Sequence, residues 1–147
     1  MHIGDPEFYR GSSCNFWPIY QGKLHHLSAT IHRIDQNIDT GDILSKQAVI
    51  LSEKDNEQTL FLKPIILGTK LMINTIKKWQ SESLQSIPLN RSGKLYKKAV
   101  FNPKVLLELK QMVESGRLNN YIQASMDSSL AEIEFDPRLH PSVTQFS

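Results

Sequence analysis

The chain has 147 residues, a length that suits one compact domain able to bury a real core. Its formal net charge is +2, too close to neutral to invoke nucleic acid or an anionic membrane, which call for a clustered basic patch. A single cysteine, Cys14, excludes an internal disulfide and any cysteine-based metal spacing, and a reducing, cytoplasmic compartment is the economical reading.

Residues 1–13 are rich in Gly, Ser, Pro and charge and read as a loop; they carry no basic region followed by an apolar stretch, so no signal peptide is read. Residues 14–21 are apolar and aromatic and predict a short helix ended by Gly22. Phe16, Trp17 and Tyr20 on it read as core. Residues 27–34 alternate with β-branched side chains and predict a strand. Its His32 reads as a partly buried, hydrogen-bonded strand histidine. Residues 35–42 form a polar turn and residues 43–51 a second strand, giving a β-loop-β unit whose loop carries carboxylates.

Residues 57–80 place Leu60, Ile66, Leu67, Leu71, Ile73 and Ile76 at helical spacings. Asp55 is the expected N-cap, and Pro64 is expected to kink or restart the helix. No apolar run in the chain approaches the roughly 20 residues that a spanning helix needs. Residues 81–95 read as a polar linker. Residues 103–115 predict a helix, with Asn102 as cap, Pro103 in the first turn and Gly116 as stop. Residues 118–123 suggest one more helical turn, and the last two dozen residues show no clear periodicity.

Two segments carry chemistry. The first contains His2 and, after a Pro-containing loop, Tyr9-Arg10-Gly11; the second is residues 30–44, with Asp39-Thr40-Gly41 after a strand. Together they resemble the signatures of the folate-dependent formyltransferases: a histidine, a loop ending in an aromatic, a basic residue and glycine, then an Asp-x-Gly further on. Either motif alone is weak; the two in this order and at this interval are specific.

The resemblance, which covers roughly residues 1–80, implies an α/β fold. It would be the C-terminal part of a formyltransferase-type Rossmann-like fold: a mixed sheet with a long helix, then a helical C-terminal extension. Residues 1–80 would be the catalytic core and residues 81–147 the linker and extension. It also implies 10-formyltetrahydrofolate as formyl donor and no metal. His2 and Asp39 would be catalytic. Asp35, Gln36, Asn37, Ile38, Thr40 and Gly41 would cradle the folate's pterin, with Gly41 letting the backbone approach it. Tyr9, Arg10 and Gly11 would lie at the substrate, although Arg10 reads equally well as a substrate-phosphate clamp and as part of an ion pair.

The family's catalytic asparagine, two positions before its histidine, falls before Met1. The chain is therefore expected to be truncated upstream of His2. Transfer-RNA formyltransferases add a β-rich C-terminal domain, whereas the tail here reads as helical. The expected acceptor is therefore a small-molecule amine, a nucleotide-linked amino sugar, with methionyl-tRNA or glycinamide ribonucleotide as alternatives. A competing expectation is non-enzymatic: an inactive remnant whose exposed sheet edge favours binding or a homodimer.

Overall fold

The structure, a computed structural model, describes residues 1–134. Four strands and four α-helices run in the order β1 (Tyr9–Gly11), α1 (Phe16–Tyr20), β2 (Ser28–His32), β3 (Ile43–Ala48), α2 (Glu57–Gln80), β4 (Lys94–Tyr96), α3 (Pro103–Glu114) and α4 (Arg117–Glu134). The α/β class follows, with both strand senses present: β2 and β3 pair antiparallel, and β1 and β4 pair parallel.

The N-terminal stretch is not all loop. His2 forms an antiparallel bridge with Thr30: its amide donates to the Thr30 carbonyl at 2.8 Å and its carbonyl accepts from the Thr30 amide at 2.9 Å. These bonds pin His2 beside the middle of β2. The Thr30 hydroxyl then donates to the Gly4 carbonyl at 2.8 Å, which fixes the turn that follows.

Helix α2 is a single 24-residue helix running through Pro64, where a kink or restart was expected. The proline ring is fully buried on the packed face, so contact there offsets the lost i−4 hydrogen bond. Leu60, Pro64, Gly68, Leu71 and Thr75 are the buried residues, one helical stripe laid mainly on β2. Gly68 is small for a reason: a Cβ there would stand 2.7 Å from Met1 Sδ and 3.3 Å from Ala29 Cβ. The N-cap is Asn56, not Asp55. Asn56 and Thr59 form a reciprocal capping box, while Asp55 accepts from Lys63, Thr59 and the Ser52 amide.

By length and composition, α2 is the one helix among the described residues apolar enough to cross a membrane. The sequence reading missed this because it sought an uninterrupted run. The apolar residues of α2 divide between the stripe on β2 and an exposed face that includes Leu62, Ile66, Ile73 and Ile76.

The segment after α2 is held to the core rather than trailing from it. Ile87 bridges Ile43. Arg91 donates to the Glu7 carbonyl and covers one face of the Phe8 ring at 3.9 Å, while His26 stacks on Phe8 at 3.7 Å between centroids. His26 is thus partly withdrawn from solvent, and burial first, then neighbouring positive charge, pulls its pKa down to about 4. The single helical turn expected at residues 118–123 is part of the 18-residue α4. Leu109 and Met112 of α3 and Leu118 and Ile122 of α4 join Phe16, Trp17, Ile19 and Leu24 in one buried cluster. The C-terminal helices therefore share a core with the segment carrying the two motifs. The last residues of the expected aperiodic tail, from 135 on, lie outside the described residues.

Candidate active site

His2 and Asp39, 37 positions apart in the chain, meet. His2 Nδ1 lies 3.4 Å from Asp39 Oδ2, and His2 Nε2 lies 3.0 Å from the Tyr9 carbonyl. Both neighbours are acceptors, so either neutral tautomer satisfies only one ring nitrogen, and the imidazolium satisfies both. Burial opposes that charge and is the larger effect. It lowers the His2 pKa, with the Asp39 carboxylate and Tyr9 carbonyl pulling the other way and the charge of His32 adding to the fall. Burial thus favours the neutral ring in a pocket whose two acceptors favour the charged one, a setting in which an imidazole can give and take a proton.

Asp39 occupies the left-handed region, with φ +53°, which Asp tolerates better than most residues. That local geometry turns its side chain back toward β1, where the Gly11 amide donates to Oδ2 at 2.8 Å. Burial would raise the carboxyl pKa. The hydrogen bond from His32, the Gly11 amide and the charge of His2 outweigh it and bring the pKa down to about 2. The carboxylate is therefore ionised at any working pH.

His32 is the residue whose part the sequence reading missed. Its Nε2 lies 3.5 Å from Asp39 Oδ1, while its Nδ1 donates to the Arg33 carbonyl at 2.8 Å. The pattern held the signal: His32 is two residues after Thr30, hence nominally on the same strand face, and Thr30 pairs with His2.

The residues expected at the substrate divide. Tyr9 is 3% exposed, its hydroxyl donates to Gln21, and its ring stacks near Tyr96. Tyr9 is therefore core, and it serves the site through its backbone carbonyl. Arg10 donates to the Gly93 carbonyl at 2.8 Å and the Ile38 carbonyl at 3.2 Å, so it ties the 35–41 loop to the body rather than forming an ion pair. Gly11 contributes its amide.

The loop residues Asp35, Gln36, Asn37 and Ile38 are exposed and Thr40 half-buried. The Thr40 hydroxyl donates to Asp35 at 3.3 Å. The Cβ side of Gly41 is filled: an added Cβ would sit 2.0 Å from the Arg33 carbonyl oxygen. The glycine is thus required by close approach of its own chain, not by space kept for a flat ligand.

His2 and Asp39 open on a cavity of about 330 Å³ that Ile3, Gly11, Cys14 and Asn15 also border. The Cys14 thiol is pushed up to about 12 by burial and by the Asp39 charge, so it is no nucleophile near neutral pH. The described residues include no cluster of three or more His, Cys, Asp or Glu able to hold a metal. The Asn15 amide makes no hydrogen bond among the described residues, which leaves it available at the rim.

No family model matches the chain. It is 29% identical over 119 residues to the methionyl-tRNA formyltransferase of Lactobacillus gasseri, covering 79% of this chain and 36% of that protein. It is 33% identical over 88 residues to that of a Hydrogenobaculum species, covering 60% and 29%. The chain thus spans about a third of the length of the curated relatives it matches. Among solved structures, it matches the N-formyltransferase of Helicobacter canadensis with TM-score 0.60 and 22% identity, over 69% of this chain and 38% of that one. It matches the formyltransferase PseJ of Anoxybacillus kamchatkensis with TM-score 0.59 and 24% identity, over 67% and 51%. These likenesses in sequence and fold agree with the two motifs and support a folate-dependent formyltransferase family.

Proposed function

We propose that this chain carries the proton-handling part of a site that moves a formyl group from 10-formyltetrahydrofolate to the amine of a small molecule, a nucleotide-linked amino sugar. The observation that carries the reading is the contact between a buried imidazole and an ionised carboxylate on the rim of a cavity.

The residues present fit a folate. The 35–41 loop exposes Ile38 next to Asp39, and Arg10 holds the Ile38 carbonyl, so an apolar surface for a flat heterocycle adjoins a polar rim. When bound, the folate supplies the formyl carbon. A bond forms from that carbon to the acceptor nitrogen and the bond to the folate nitrogen breaks. The proton lost by the attacking nitrogen ends on the leaving one. His2, backed by Asp39, would accept and return that proton and stabilise the developing oxyanion.

The choice of acceptor rests on the solved relatives named above, which were captured with a formamido sugar nucleotide and tetrahydrofolate, and with dTDP-3-aminofucose and folinic acid. The sequence relatives favour the second reading, transfer to methionyl-tRNA.

Equilibrium binding of a reduced folate analogue to the wild-type chain and to Asp39→Ala tests the site. Measurable binding that weakens at least tenfold in the variant is expected; equal binding, or none in either protein, defeats the reading. Assays of amino-sugar nucleotides against methionyl-tRNA then choose the acceptor.

A further inference from the structure

We infer that His32 is a positioning residue for this site: its imidazole holds one oxygen of Asp39 so that the other faces His2. The inference rests on the reading above and deepens it. The carboxylate is clasped from three directions. Oδ2 takes the Gly11 amide at 2.8 Å and faces His2 Nδ1 at 3.4 Å; Oδ1 faces His32 Nε2 at 3.5 Å. Without the third contact a carboxylate can swing about χ2, a broad and soft torsion, and Oδ2 would not be held against His2.

His32 is itself well anchored. It sits at the end of β2, and its Nδ1 is spent on the Arg33 carbonyl, which leaves Nε2–H to point at Asp39. Ring orientation fixed by a backbone carbonyl is the usual way a histidine's second nitrogen is aimed. The His2 and His32 rings meet edge to face, 6.0 Å between centroids, so one carboxylate serves two imidazoles. The hydrogen bond to Asp39 raises the His32 pKa; burial and the N-terminal ammonium of Met1 oppose the rise, while the Arg33 carbonyl and the Asp39 charge add to it. The His2 pKa moves the other way. One ring is thus biased toward its charged form and the other toward its neutral form. That leaves His2 to move the proton while His32 keeps the carboxylate in place.

The test is titration of the Asp39 carboxyl carbon by NMR in the wild-type chain, His32→Leu and His32→Gln, with the Gly11 amide shift followed in parallel. Leucine removes both hydrogen bond and charge; glutamine keeps a donor near the Nε2 position. In His32→Leu the Asp39 pKa is expected to rise by about one unit, a tenfold change in proton affinity, and the Gly11 amide to shift. In His32→Gln the amide should stay near its wild-type position while the pKa rises part of the way. An unchanged Asp39 pKa and Gly11 amide in both variants would overturn the inference. If His32→Leu does not fold, the His32→Gln titration decides alone: no rise in its Asp39 pKa rejects the clasp. None of these readouts needs catalysis, so they hold even if no amine is formylated. Where transfer is found, His32→Leu should lower kcat more than tenfold with little change in KM, and His32→Gln should recover part of the loss.

Discussion

Asp39 combines a left-handed backbone, a backbone donor and two imidazole neighbours, and each has an acid-base consequence. Its folded pKa of about 2 lies below the ordinary value near 3.9. The carboxylate therefore contributes stability that is present above about pH 4 and lost as pH falls through about 2. Asp39→Asn should remove about 2 kcal/mol of that dependence, read as a smaller difference between urea midpoints at pH 5 and pH 2.5 than in wild type. His26 acts in a higher window that overlaps the first between about pH 5 and pH 4. Its folded pKa of about 4 is depressed from 6.5, so its contribution is present above 6.5 and lost as pH falls toward 4. His26→Phe, which keeps a ring against Phe8, should flatten the wild-type loss of stability between pH 7 and pH 4. Gly41 is a third residue with a local demand. Gly41→Ala must displace the Arg33 carbonyl, and a thermal melt should show a loss of about 1–3 kcal/mol.

At the scale of elements, α2 shows why local signals misplace details yet locate the helix. Its apolar stripe makes the helix legible, but two candidate caps stand side by side, and only the extended backbone of Asn56 lets its side chain accept from the Thr59 amide. Asn56→Ala should cost about 1 kcal/mol, whereas a cap at Asp55 would predict no such loss; chemical denaturation distinguishes them. β2 and β3 are legible through their alternation. β1 and β4 are not, because each has three residues and pairs with a partner more than 80 positions away, beyond the reach of any periodicity.

For the whole molecule, the decisive feature is one core shared by α1, α3 and α4. Leu109 is 2% exposed, and Leu109→Ala should cost about 2–5 kcal/mol. Because the cluster also holds Phe16 and Trp17, the loss should appear equally in tryptophan fluorescence and in helical circular dichroism, as one transition. Two separate transitions would mean that the C-terminal helices unfold apart from the rest. The 35–41 loop inherits rigidity from the same body: Arg10 links Ile38 to Gly93, and Gly93 packs directly on the Phe8 backbone.

The sequence alone determined α1, α2 and α3, the β2–β3 unit and the pair of motifs, because periodicity, capping residues and motif spacing are local properties. It also named His2 and Asp39, since their types and interval carry the family pattern. Only the tertiary structure decided that Tyr9 is core, that Arg10 is a tie, that Gly41 answers to Arg33 and that His32 faces Asp39. Each of these depends on which backbone groups lie opposite one another after the chain has folded back, through a left-handed turn at Asp39 and a bridge at His2. A linear pattern does not encode such distances.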